Sequence, residues 1–202
     1  MLHVGLTGGI ASGKSTVLGL FVEKGACAVD LDQLARYVEE PGRPAWHALV
    51  DYFGQGILQD DGTINRGQLG EIVFQDEQKR IRLNEIVHPF IFQEWERRLA
   101  ALNDYDCEAI VISDMPLLFE IGAERYFDRI IVVYASREQQ LQRLMERNNL
   151  SPEQARLRLE SQLAIDSKLP LADYVIDNSS SPAETRKRVA AVWDELKRAH
   201  RS

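Results

Sequence analysis

Five short runs in this chain are apolar without alternation: residues 2–7, 26–30, 109–114, 129–135 and 174–177. They are rich in Val and Ile. A strand with one wet face alternates polar with apolar residues, so these runs read as strands buried on both faces, the pattern of a parallel sheet. Helical patterns lie between them, as the crossovers of a parallel sheet require. The expected fold is therefore α/β, with three layers around a parallel sheet of about five strands.

Two segments are too long for simple crossovers. Residues 31–107 read as mostly helical, broken by the turn-rich loop FGQGILQDDGTINR. Residues 136–170 read as two charged helices joined at NNLSPE. What is left, about 1–30, 108–135 and 171–202, forms the core of a single 202-residue domain. Several helix starts are marked by capping residues: Ser151-Pro152-Glu153-Gln154, Ser181-Pro182-Ala183-Glu184 and, more weakly, Ser136 with Gln139. The last helix, from Pro182 to about Ala199, carries Val189, Val192, Trp193 and Leu196 at helical spacing, a core stripe.

Composition narrows the functional classes. Hydrophobic residues make up 45% and charged residues 27%, ordinary for a globular protein. With 24 basic and 31 acidic residues the net charge is −7, which argues against a nucleic-acid surface. An anionic substrate would need basic groups gathered in one cleft. No apolar run approaches the ~20 residues that span a bilayer. The opening MLHVGLTGG lacks the basic and apolar regions of an export signal, so the expected compartment is the cytoplasm. Cys27 and Cys107 form no CxxC pair and are expected to be buried, reduced thiols in strands.

The first strand runs directly into GLTGGIASGKST, residues 5–16. Gly8, four residues, Gly13, Lys14 and Ser15 fit the P-loop pattern, and a helix expected over about 14–24 follows. Glycines let successive N–H groups turn inward on a phosphate, and the new helix adds its N-terminal dipole. Gly9, Ala11, Ser12, Gly13, Lys14, Ser15 and Thr16 would cradle ATP, with Lys14 reaching the β- and γ-phosphates and the Ser15 hydroxyl on Mg²⁺. The guanine-reading Asn-Lys-x-Asp signature is absent from the sequence.

Three other features belong near such a loop. Asp30 and Asp32 close the second strand, at the edge where open α/β sheets bind ligands. Asp32 reads either as a general base for an acceptor hydroxyl or as the cap of the next helix. Asp114 ends the third strand at the Walker-B place, as a carboxylate held to Mg²⁺ through water or as a solvated strand end. Arg143 and Arg147 are four residues apart and share one helix face, either a lid that brings guanidinium to a phosphoryl group or a solvated surface.

GLTGGIASGKST, VDLDQLARYVEEPG, DGTINRGQLGEIVF, NEIVHP, PLLFE, RLMERN and ADYVIDN occur in that order over nearly the whole chain. Together they resemble the dephospho-CoA kinase family. The resemblance implies a P-loop NTPase fold with a helical acceptor-binding insertion and a helical lid. It implies transfer of phosphoryl from ATP, with Mg²⁺, to the ribose 3′-hydroxyl of 3′-dephospho-CoA, the last step of coenzyme A synthesis. Asp32 matches the catalytic base, Lys14 the loop lysine and Arg143 the lid arginine. Arg36, His88 and Glu120 fall on motif positions of the acceptor side, although His88-Pro89 also reads as the opening of a helix. Trp46 and Trp95 read as core. Leu31 stands where a small residue is common, and Pro170 where a basic one is. No membrane, nucleic-acid or obligate protein partner is expected. Another small-metabolite or nucleoside monophosphate kinase would share Lys14 and the lid arginines, without needing the long insertion. A non-catalytic nucleotide sensor would not need Asp32.

Overall fold

The computed structural model describes residues 1–106 and 108–201. The expectation for Cys107 lies outside the described residues. Five strands form one sheet: β1 (Leu2–Gly8), β2 (Cys27–Asp30), β3 (Ile110–Asp114), β4 (Arg129–Tyr134) and β5 (Tyr174–Asp177), in the order β2-β3-β1-β4-β5. β1 pairs in parallel with β3 and β4, and β4 with β5. The register sets Leu6 against Asp114 and Gly8 against Val133, which brings the ends of β3 and β4 up to the glycine loop.

The helices are α1 (Lys14–Val22), α2 (Leu31–Val38), α3 (Pro44–Phe53), α4 (Arg66–Gln75), α5 (Glu77–Tyr105), α6 (Arg137–Asn148), α7 (Pro152–Glu160), α8 (Ile165–Lys168) and α9 (Pro182–His200). The serine caps expected from sequence hold α6, α7 and α9: Ser136, Ser151 and Ser181 each accept from the backbone N–H three residues on. α1 stops two residues before the expected Lys24. Gly25, at φ +103°, turns the chain, and the Ala26 N–H returns to the Phe21 carbonyl.

The chain divides into two compact units, residues 1–29 with 103–202, and residues 30–102. In the first, Val4, Leu6, Ile112, Ile131 and Val133 of the sheet are almost wholly buried. They pack with Val17 and Phe21 of α1 and with Val189, Trp193 and Leu196 of α9. Each such side chain contributes about 1.5–3 kcal/mol by leaving water, so the strand that feeds the glycine loop is firmly seated. Cys27 departs from expectation: it lies in β2 but is only half-buried.

The second unit has its own core of Val38, Ala45, Leu49, Ile57, Leu69 and Ile86. The Trp46 indole N–H donates to the Gly62 carbonyl at 2.9 Å, and Trp95 is 1% exposed, so both tryptophans pack as expected. Between α3 and α4 the turn-rich loop forms a short 3₁₀ turn, Gln55–Ile57, and a single antiparallel bridge from Leu58 to Ile64.

His88 and Pro89 do not open a helix. They lie inside the 29-residue α5. An interior proline costs roughly 3 kcal/mol in a bare helix. Here Ile86 and Val87 before it and Trp95 after it are buried, and that packing carries the helix through. Among the described residues, no helix is long and apolar enough to cross a membrane.

Candidate active site

In the first unit the loop between β1 and α1 is shaped by close approach as much as by turning. A side chain on Gly8 would sit 2.6 Å from the Val133 carbonyl, and one on Gly9 2.7 Å from Gln140 Oε1. Gly13 has φ +89°, and a side chain there would run into the Asn178 amide. Ala11 adopts φ +57°, a conformation non-glycine residues seldom take. These constraints leave the backbone N–H groups of Ala11, Gly13, Lys14 and Ser15 with no acceptor among the described residues. Such donors at a helix N-terminus form an anion cradle.

Lys14 starts α1, and its ammonium pairs with the Asp114 carboxylate. The two side chains are 16% and 8% exposed, so the pair is shielded from solvent. The expected Walker-B carboxylate thus stands beside the expected loop lysine. Ser15 and Thr16 follow on the first turn of α1 and are exposed. The Ser12 side chain is buried instead, and its Oγ has no hydrogen-bond partner among the described residues.

Arg143 reaches the same loop from α6. Its Nη1 donates to the Ser12 carbonyl at 3.4 Å and its Nη2 to the Asn178 carbonyl at 2.9 Å. Neither acceptor carries a charge, so the guanidinium keeps its full charge for an anion. α6 is held in place by buried Leu144 and by Gln140, whose Nε2 donates to the Ala135 carbonyl at 2.8 Å. Arg147 does not share this position. It is exposed, and its Nε donates to Asn148 Oδ1 at 3.0 Å.

Glu120 is committed to the segment that follows α7. Its Oε1 lies 2.7 Å from Lys168 Nζ and accepts from the Leu163 N–H at 3.1 Å. Lys168 is fully buried. Gln162, just before Leu163, accepts from the Ile10 N–H at 2.9 Å, which ties the same segment to the glycine loop. Lys168, Gln162 and Asn178 were not singled out from sequence. A lone lysine in SKLPLAD carries no sign that it is buried.

The second unit holds the remaining candidates. Asp30, not Asp32, caps α2: its Oδ1 accepts from the Gln33 N–H at 3.0 Å. Asp32 sits in the first turn with an exposed carboxylate, and Arg36 follows one turn on, also exposed. The capping alternative for Asp32 therefore falls away. His88 is half-buried in α5, its ring edge-on to Phe92 at 6.4 Å, and burial holds its pKa below the usual 6.5. A cavity of about 310 Å³ opens in this unit, lined in part by Tyr37, Arg43, Phe90, Glu94 and Arg97. The Arg43 guanidinium lies 3.4 Å over the Tyr37 ring. Hydrogen bonds from Arg97 and Arg98 hold the Glu94 carboxyl at a pKa of about 2.

Comparison with known proteins agrees with this architecture. The profile of the family described as dephospho-CoA kinase matches residues 2–184. A dephospho-CoA kinase of Listeria innocua is 48% identical over 190 residues, 92% of this chain and 92% of the relative. One from Syntrophus aciditrophicus is 43% identical over 201 residues, 100% of this chain and 86% of the relative. The solved dephospho-CoA kinase of Campylobacter jejuni superposes with a TM-score of 0.73 at 30% identity, covering 98% of each chain. With a glycine cradle on the central strand, a lysine–aspartate pair beneath it and a profile match over almost its whole length, the chain belongs to the dephospho-CoA kinase family.

Proposed function

We propose that this chain transfers the γ-phosphoryl group of ATP to the ribose 3′-hydroxyl of dephospho-CoA, giving CoA and ADP. The observation that carries it is the set of unspent N–H groups at Ala11, Gly13, Lys14 and Ser15, beside the Lys14 ammonium. They form a polyphosphate site on rigid backbone. Lys14 neutralises the phosphates, and Arg143 supplies charge to the phosphoryl group in flight.

Asp32 is the base. Its exposed carboxylate takes the 3′-hydroxyl proton as the new P–O bond forms and the bond to the ADP oxygen breaks. Residues 30–102, with Arg36, His88 and the cavity beside Tyr37, take the acceptor. Glu120 is better assigned to holding the lid segment through Lys168 than to the acceptor. The reaction belongs to the cytoplasm.

Mg²⁺ suits these residues. The ion prefers one or two protein oxygens, with phosphates and water completing its shell. The exposed Ser15 hydroxyl and the Asp114 carboxylate provide that, and no cluster of three His, Cys, Asp or Glu side chains competes among the described residues. When bound, the ion would neutralise charge on the phosphates.

The test is ADP release from ATP and Mg²⁺ with a panel of acceptors. Dephospho-CoA should be turned over at least ~100-fold more efficiently than AMP, CMP or shikimate, as expected where buried polar groups must all be matched. Comparable turnover of AMP or shikimate would move the chain to another small-molecule kinase activity. ATP binding without turnover of any acceptor would make it a sensor.

A further inference from the structure

The Ser12 carbonyl is held from outside the glycine loop. Asn178 Nδ2 donates to it at 2.9 Å, and Arg143 Nη1 at 3.4 Å. Asn178, the residue after β5, is itself fixed at three more atoms. Its backbone N–H donates to the Tyr134 carbonyl at 2.7 Å. Its carbonyl accepts from Arg143 Nη2 at 2.9 Å. Its side-chain Oδ1 accepts from Thr185 Oγ1 at 2.8 Å. Thr185 is 1% exposed, and its hydroxyl has a single proton. Of its two acceptors, Asn178 Oδ1 at 2.8 Å is much nearer than the Ser181 carbonyl at 3.4 Å, and spending the proton on Oδ1 turns the other end of the amide, Nδ2, toward the Ser12 carbonyl, which can only accept.

In a planar trans peptide, a carbonyl and the following N–H point in opposite directions. Drawing the Ser12 carbonyl outward therefore sends the Gly13 N–H to the other side. That N–H is one of the four with no acceptor among the described residues. Gly13 and Asn178 are also fitted sterically, because any side chain at Gly13 would collide with the amide.

We propose that Asn178, oriented by Thr185, is a positioning residue that sets the direction of the Ser12–Gly13 peptide so that the Gly13 N–H faces the phosphates of ATP. It acts through the loop and touches no reacting atom. It rests on ATP occupying the glycine loop, as proposed above.

The experiment is calorimetric titration of ATP with Mg²⁺, without acceptor, into wild type, Asn178→Asp, Thr185→Val and Thr185→Ser, alongside thermal melting and steady-state kinetics. Asn178→Asp keeps the size of the side chain and the bond from Thr185, but sets an acceptor against an acceptor at Ser12. Its ATP affinity should fall about tenfold, equivalent to 1.4 kcal/mol. The KM for ATP should rise in step, with the KM for dephospho-CoA unchanged. Thr185→Val should show a smaller loss of the same kind, and Thr185→Ser should restore wild-type affinity. A purely structural role would lower the melting temperature and the active fraction while leaving the ATP affinity of the folded protein intact. That result, or wild-type affinity in Asn178→Asp, overturns the proposal. Should Asn178→Asp not fold, wild-type affinity in Thr185→Val overturns it instead. A wild-type chain that binds no ATP removes the nucleotide site itself, and the proposal with it.

Discussion

Two aspartates, one residue apart from adjacency, divide their tasks. Asp30 spends its carboxylate on the Gln33 N–H, while the exposed Asp32 carboxylate has no partner among the described residues. Replacing Asp30 by Ala should cost about 0.5–2 kcal/mol of stability, the usual price of a lost cap. Asp32→Asn should melt with wild type yet lose ~10²–10⁴ in kcat, the contribution of a general base. Thermal melts and single-turnover rates on both variants check this. Full activity in Asp32→Asn would leave the reaction to positioning and charge alone. The sequence VDLDQ makes both residues visible as candidates but not their roles. Either could precede the helix, and the choice depends on where β2 ends. Glu120 shows a harder limit. Its partner Lys168 is distant in sequence, and only the folded segment around α8 buries that lysine.

At the scale of elements, what is local was readable. The serine caps of α6, α7 and α9 need only the four residues around them, and all three form. The buried strands are equally plain, because burial on both faces leaves no polar alternation to confuse with a loop. α5 was misjudged because its continuity past Pro89 is a tertiary effect, carried by Ile86, Val87 and Trp95. That has a measurable consequence. Pro89 is exposed and sits in mid-helix. Replacing it with Ala restores an N–H donor and removes a clash with the preceding turn, and should stabilise the protein by about 1–3 kcal/mol. The denaturant midpoint should rise. A lower midpoint would mean that the helix depends on the bend a proline imposes.

For the whole molecule, pH acts through its central strand. His3 of β1 is buried, its Nε2 2.9 Å from Ser113 Oγ and its Nδ1 3.0 Å from the Tyr126 carbonyl. Burial pushes its pKa below the usual 6.5, only partly offset by the Tyr126 carbonyl and the Asp128 charge. The unfolded chain then takes up a proton near pH 6.5 that the folded chain refuses until lower pH. Stability should fall as pH drops through 6.5, since the unfolded state binds more protons there. His88 is shifted the same way and adds to the slope. The raised pKa of Glu39 has the opposite sign: the folded chain takes that proton first as pH falls, and the stability it adds is complete only below the ordinary 4.5. Melting temperatures between pH 7.5 and 5.5, chosen about the ordinary histidine value, should show a shallower decline in His3→Gln than in wild type. An unchanged slope would assign the titration elsewhere. The order of the sheet sets a further asymmetry. β1 is bonded on both flanks, whereas β2 is a four-residue edge. Amides of a doubly flanked core strand exchange with deuterium through openings that approach global unfolding, whereas short edges exchange more readily by local fraying. β1, which leads into the glycine loop, should therefore exchange more slowly than β2, which leads into α2 and Asp32, and deuterium-exchange mass spectrometry would read the difference. On the assignment proposed above for Asp32, acceptor specificity could be remodelled at that edge without disturbing the strand that carries the glycine loop.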